Sequence, residues 1–352
     1  MKPALRVLAL ALGLQLALAA PATAIEITLT QISTPFNTPI GIDYHEPTNS
    51  VVMSVNYITG LPHNFERVNF DGSHVQFSSA SGFTEEVKIA TVRSGNVGGF
   101  TVGDLFTGNG VDGEIARITD NGATVINPWA SLPGVNNGLM RGSLYVDRTS
   151  VWGGDLIVVT TTGQVWRTTS AGAPTPLATL NTHLEGVITV PNDAVKYGPL
   201  AGKIIAGAEG EGRLYIIDTA GNVSFINPGV SIEDIDLIPA NENFFGVNFG
   251  TSRILGAPAG DFTPIAGDIL LTQESPGNTT GLFRLFWDGA QLQTEQILLR
   301  PGSEIPGQWE HVTFARAGIV EIPPVPEPGV LPLLAAGLLG VGAGAWTRHR
   351  KN

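Results

Sequence analysis

Carboxylates recur at one position of a repeating pattern along this chain. Glu85 with Glu86, Glu185, Glu233 with Asp234, and Glu310 stand at the heads of short apolar stretches: "VKIATV" from Val87, "GVITV" from Gly186, "DIDLI" from Asp234 and "HVTFA" from His311. Gathered at one point, such groups would repel one another strongly unless a cation sat among them. A hard divalent ion meets that need, and calcium, which takes about six to eight oxygen ligands, suits it better than zinc. Glu85, Glu185, Glu233 and Glu310 are therefore the candidate ligands, and loops expected on the same side add Asp112, Glu209, Glu211 and Glu274. A plainer reading stands beside this one. Acidic residues at strand ends are commonly solvated, and Arg141, at the equivalent place in the third repeat, could neutralise part of the ring. His183 and His311 lie near the ring in sequence and read as loop or packing residues rather than ligands. Trp152, Trp166 and Trp287 read as core.

The elements that must position these groups are strands. Six segments share an alternating strand with a basic or polar residue, a Gly-bearing turn and a second alternating strand. They are "FERVNFDGSHVQF" from Phe65, "GEIARITDNGATVIN" from Gly113, "GQVWRTTSAGAPTPL" from Gly163, "GRLYIIDTAGNVSFIN" from Gly212, "SRILGAPAGDFTPI" from Ser252 and "GLFRLFWDGAQLQTEQI" from Gly281. Each reads as a β-hairpin, with the fifth the poorest match. Another strand precedes most of them, opening on Gly and a charged residue: "GDLF", "GDLIVV", "GKIIAG" and "GDILLT". Ahead of those lie the apolar stretches headed by carboxylates, joined by "IGIDY" from Ile40 and "SLYV" from Ser143.

Four strands in roughly 50 residues is the period of a β-propeller blade. The expectation is an all-β chain, a single propeller of six four-stranded blades over 25–320. In a propeller the inner strands surround a central channel, so the carboxylates at their starts would meet at one mouth. The 65 residues from Gly202 to Gly267 are too long for one regular blade and too short for two. The ring would be closed by "IEITLTQI" from Ile25, pairing into the blade whose inner strand is "HVTFARA"; closure removes exposed strand edges.

Composition agrees. The chain has 352 residues, 44 of them Gly and 24 Pro, which implies frequent turns. Five of the 19 basic residues (Lys2, Arg6, Arg348, Arg350, Lys351) lie at the two ends, which leaves 14 against 31 acidic residues, about −17, for the part between. Charge therefore speaks against nucleic acid as a partner. Cysteine is absent, so an extensive core must hold the body together without disulfides. "GNGVDG" from Gly108 matches a dinucleotide fingerprint in letters only, because a strand and not a helix follows it. Neither a G-x-S-x-G elbow nor an H-E-x-x-H zinc pair occurs.

The ends carry addresses. Residues 1–24 place Lys2 and Arg6 before an apolar stretch and finish on Ala22 and Ala24, the pattern of a cleaved signal peptide, with Ile25 the expected mature start. At the other end a Pro-rich linker, 321–328, contains Val325, Pro326, Glu327 and Pro328. An apolar run over 329–346 and a basic tip over 347–352, with Arg348, Arg350 and Lys351, follow it. Val330 to Trp346 would make about 25 Å of helix, near the lower limit for a membrane span. The basic tip would stay on the cytoplasmic side as a stop.

The tail resembles the PEP-CTERM sorting signal of exopolysaccharide-producing Gram-negative bacteria, matching all three of its parts in order. The resemblance implies export, recognition by an exosortase, cleavage near Pro326 to Pro328, and delivery to the cell envelope, outer surface or matrix. The body is similar to six-bladed propellers of the gluconolactonase and regucalcin kind. That resemblance implies a divalent ion at the channel mouth that polarises a lactone or phosphate ester, with Glu185 in "LEG" matching the Glu that opens the first blade of that family. Two functions follow: an exported, non-enzymatic platform that binds an exopolysaccharide, an envelope protein or calcium, or a calcium-dependent hydrolase of a lactone or ester.

Overall fold

A computed structural model describes residues 24–33, 35–139, 144–274 and 280–322. The expected signal peptide short of Ala24, the Val325–Pro328 motif, the apolar run and the basic residues Arg348, Arg350 and Lys351 lie outside the described residues, as does Arg141. No helix among the described residues is long and apolar enough to cross a membrane.

The chain begins with two short strands, β1 (Glu26–Ile27) and β2 (Thr30–Ser33). Four complete blades follow in order. The first is β3 (Ile42–His45), β4 (Ser50–Ser54), β5 (Phe65–Val68) and β6 (His74–Gln76); the second is β7 (Ile89–Thr91), β8 (Leu105–Gly108), β9 (Glu114–Thr119) and β10 (Thr124–Ser131). The third is β11 (Leu144–Val146), β12 (Leu156–Val159), β13 (Gln164–Thr168) and β14 (Pro174–Thr179); the fourth is β15 (Glu185–Thr189), β16 (Ile204–Ala208), β17 (Arg213–Ile217) and β18 (Val223–Ile226).

The last two blades are interlaced. After the inner strand β19 (Ile235–Leu237), the chain builds β20 (Glu242–Asn248) and β21 (Arg253–Ala257) in the sixth blade. It then returns to the fifth for β22 (Ile269–Gln273), β23 (Gly281–Trp287) and β24 (Leu292–Leu299). Finally β25 (Trp309–Arg316) enters the sixth blade as its inner strand, paired with β20. The long interval from Gly202 to Gly267 is thus one blade's spacing plus a hairpin lent to the neighbour.

The fold is an all-β, six-bladed propeller, and all six inner strands fall where the sequence places them. Five of the six expected hairpins form. The segment from Ser252 does not: β21 runs into a four-residue helix, α1 of the sixth blade's edge (Ala259–Phe262), and pairs instead with β20 and β2. Pro258 before that helix cannot donate to a ladder, which is why no second strand follows. Closure uses the chain's start in two ways. β2 becomes the outer strand of the sixth blade, and β1 adds in parallel to β24 of the fifth. The body reaches slightly past 320, since Ile319 and Val320 are buried and Glu321 N donates to Phe70 O at 2.9 Å.

The core sits between blades. Val52 and Phe65 of the first meet Leu105 and Ala116 of the second, and Ile254 and Phe245 of the sixth meet Ile42 and Tyr44 of the first. The repeat's charges are largely structural. The Asp that opens a second strand pairs with the Arg of the following hairpin strand: Asp104 with Arg117 at 2.6 Å, Asp155 with Arg167 at 2.6 Å and Asp268 with Arg284 at 3.4 Å. Each of these guanidiniums also lies over an aromatic ring, Arg167 over Trp152 for example.

Candidate functional site

The inner strands begin at one mouth of the channel, and there Glu185, Glu233 and Glu310 do meet. What stands between them is a lysine. Lys88, fully buried one residue before β7, places Nζ against Glu233, 3.5 Å from Glu185 Oε2 and 3.7 Å from Glu310 Oε2. Close backbone approach makes this convergence possible. A Cβ on Gly41 would lie 2.9 Å from the Lys88 Cα, and one on Gly186, at φ 37°, 2.8 Å from the Asp234 Cα. Glycine at these two positions lets β3 and β15 press against their neighbours and narrows the mouth around Nζ.

The surrounding charge is one-sided. Glu86 also acts on Lys88, whereas Glu85, in the left-handed region at φ 66°, turns the chain into the inner strand. Glu209 and Glu274 join from the loops between second and third strands, and Gln308 donates to Glu274. Asp112 instead accepts from Asn137 N at 2.5 Å, and Glu211 pairs with Arg213 at 2.9 Å.

Burial disfavours the charge on Lys88, yet the carboxylates of Glu233, Glu185 and Glu310 outweigh it and hold the ammonium well above the usual lysine range. Glu233 is likewise buried but is held low by Lys88 and by a hydrogen bond from Glu185. Burial and the Glu233 charge push Glu185 far up, burial pushes Glu310 far up, and burial with Glu233 and Glu274 pushes Glu209 up to about 7. The mouth is therefore organised by one ion pair, Lys88 with Glu233, and burial and mutual repulsion shift Glu185, Glu310, Glu209 and Glu274 around it toward their protonated forms.

Oxygens of Glu185, Glu209 and Glu233 lie within 4.8 Å of one another, a spacing that a metal ion could use. Lys88 already occupies the common centre of Glu185, Glu233 and Glu310, so the donor set does not fit a divalent ion at that point without displacing the ammonium.

Deeper in the channel, His311 Nδ1 accepts from Ile42 N at 3.2 Å, which leaves Nε2 as the protonated nitrogen facing Asp234 Oδ2 at 3.5 Å. Burial and Lys88 push His311 down to about 3, so it is a neutral packing residue. His183 Nε2 lies 3.1 Å from Glu185 Oε1. Asp43 accepts from Thr91 N at 2.8 Å, Thr313 Oγ1 at 2.9 Å and Arg93 Nη2 at 2.9 Å. Arg93 and Arg148 hold it low despite complete burial. A cavity of about 20 Å³ lies at this level, between the two mouths.

Sequence reasoning found the carboxylates and missed the lysine. Its signal was the single Lys inside "VKIATV", a strand otherwise built for burial. A charge in such a strand must have partners.

No family model and no curated protein matches this chain. Solved structures do. The chain is similar to one in the nidogen/laminin complex (TM-score 0.51, 11% identity, covering 79% of this chain and 85% of that one). It is also similar to the PQQ-bound aldose sugar dehydrogenase of Streptomyces coelicolor (0.50, 12%, 84% and 90%). A gluconolactonase of Xanthomonas campestris overlays at TM-score 0.45 and 14% identity, covering 80% and 81%. The first two likenesses show the propeller fold. They extend to an enzyme and to a protein–protein complex alike, so the fold by itself selects neither function.

Proposed function

We propose that this chain is an exported binding platform, sorted through its tail by an exosortase and delivered to the cell envelope or matrix, and that its propeller binds rather than hydrolyses. The observation that carries the binding reading is Lys88 Nζ at the point where the carboxylates of the acidic mouth converge. A hydrolase of the calcium-dependent kind needs an ion there with an open ligand position. The alternative, calcium-dependent hydrolysis of a lactone or ester, draws on the close spacing of Glu185, Glu209 and Glu233. Membrane contact belongs to the tail and ends with processing.

Two measurements on protein produced in an exosortase-bearing Gram-negative host test the proposal. Intact mass should show a chain starting near Ile25 and ending near Pro326 to Pro328; a full-length C-terminus in such a host contradicts the sorting. Incubation with gluconolactone and p-nitrophenyl acetate in millimolar calcium should give no hydrolysis above background. Calcium-dependent turnover contradicts the platform.

A further inference from the structure

The channel's other mouth, where the inner strands end, differs in kind. There a cavity of about 370 Å³ opens, lined by Tyr145 and Arg148 from the end of β11, Asp236 and Leu237 from β19, and Pro191 and Pro239. Its volume lies in the lower part of the ~300–1,000 Å³ range of small-molecule sites.

Three polar side chains on this wall turn to the cavity atoms that have no protein partner among the described residues. Tyr145 is 9% exposed, and its hydroxyl makes no hydrogen bond among the described residues. Asp236 is 7% exposed; its Oδ1 accepts from Leu237 N at 2.7 Å, while its Oδ2 has no partner. Arg148 reaches one acceptor, Asp43 Oδ2, at a long 3.5 Å, and lies over the Tyr145 ring at 5.0 Å. Its remaining guanidinium donors have no partner among the described residues. A cluster of such groups facing one cavity, two of them on nearly buried residues, points to a ligand that supplies partners in place of water.

The wall is rigid. Asp147, between Tyr145 and Arg148, accepts from Thr149 N, Thr149 Oγ1, Thr189 Oγ1, Trp152 N and Gly154 N at 2.7–3.0 Å. Arg93 is likewise fixed, by Asp43, Glu242 and the Phe314 carbonyl.

Charge narrows the ligand. Arg93 and Arg148 line the cavity together with Asp147, Asp236 and Glu242, so an anion meets three carboxylates and a cation meets two guanidiniums. A neutral polyol satisfies the donor and the acceptors together. Hydroxyls donate to Asp236 Oδ2, accept from Arg148, and do either with Tyr145, while ring carbons rest on Leu237, Pro191 and Pro239. We infer that this cavity is a binding site for a neutral sugar unit of mono- or disaccharide size. The inference rests on the platform reading and supplies its ligand class.

Saturation-transfer difference NMR on the body, residues 25–322, tests it. The probes are glucose, galactose, N-acetylglucosamine and their disaccharides, with glucuronate and glucosamine as charged arms. Transfer to a neutral sugar is expected, weakened about tenfold or more by Asp236→Asn and by Tyr145→Phe, each of which removes one partner. Glu211→Gln, on the acidic face, should leave it unchanged. No transfer to any neutral sugar, preference for a charged arm, or survival of binding in both variants overturns the site. Tyr145→Phe removes one unbonded hydroxyl and keeps the fold, so its result stands even where Asp236→Asn unfolds. Failure here without hydrolysis of the lactone or ester leaves the platform reading in place; hydrolysis removes that reading on its own.

Discussion

The two mouths of the channel hold similar numbers of ionisable groups and use them in opposite ways. At the acidic mouth a single buried ammonium is surrounded by more carboxylates than it needs, and proton uptake settles the balance. At the other mouth Arg93 pairs with Asp43 and Glu242, and Tyr145, Arg148 and Asp236 are left with unpartnered atoms beside a cavity. The first arrangement is complete within the chain. The second is incomplete without something from outside. Charged residues around a propeller channel are thus not by themselves a sign of a site; what matters is whether the chain already contains their partners.

Removing the internal partner should have the largest effect. Lys88→Met leaves Glu233 as an uncompensated buried charge, a change that typically costs about 3–5 kcal/mol. Urea denaturation at pH 7 should show that loss, and Lys88→Met combined with Glu233→Gln should recover much of it. If the single variant is as stable as the parent, Lys88 does not organise the mouth.

Asp147→Ala removes the acceptor of five hydrogen bonds at the opposite mouth, and a loss of about 2–3 kcal/mol is expected from the buried donors stranded there. It should also abolish sugar binding, because Tyr145 and Arg148 flank it. A stable variant that still binds would show that the wall is not held by Asp147.

Acidity acts on both mouths but weighs more heavily on the acidic one, since at the other burial pushes Asp236 up to about 6. Glu185, Glu310 and Glu274 bind protons more tightly in the native state than their ordinary value of 4.5 allows, and Glu209 does so with a pKa of about 7. The native state therefore holds more protons than the unfolded chain above pH 4.5, and stability falls as pH rises from there through about 7. His311, pushed down to about 3 from 6.5, and His45, also pushed down by burial, oppose this below 6.5 as two groups against several. Calorimetry should give a melting temperature a few degrees higher at pH 5 than at pH 8, with a shallower slope for Glu209→Gln. A melting temperature that rises over this range contradicts the protonated ring.

The smallest effect is as informative. Tyr145→Phe should change stability by less than about 0.5 kcal/mol, because the hydroxyl has no partner to lose. A loss above about 1 kcal/mol in urea denaturation would mean that the chain satisfies this group itself.

Much of the architecture was legible. Alternation and Gly-bearing turns mark the inner strands and five hairpins, because each is a local pattern of burial and backbone conformation. The lending of β20 and β21 to the next blade was not, since pairing partners leave no mark on the strands themselves beyond the odd spacing after Gly202. At the acidic mouth Glu185, Glu233 and Glu310 were readable from their position, but the position does not say what neutralises them. Arg141 was the cation considered there, and Lys88, hidden in an apolar strand, is the one that fills the centre. The second mouth was invisible in the sequence. Tyr145 in β11, Arg148 just after it and Asp236 in β19 lie about ninety residues apart and share a wall only because the ring closes.

The claim that the acidic mouth is complete in itself is tested most directly by thermal melting of the body at pH 7.5 with and without saturating calcium. An ion that binds only the native state must raise its stability. Because Lys88 holds the centre, no shift is expected for the parent chain. A rise of several degrees under calcium would contradict the account, for it would mean that the ring takes a divalent ion in place of, or beside, its own ammonium.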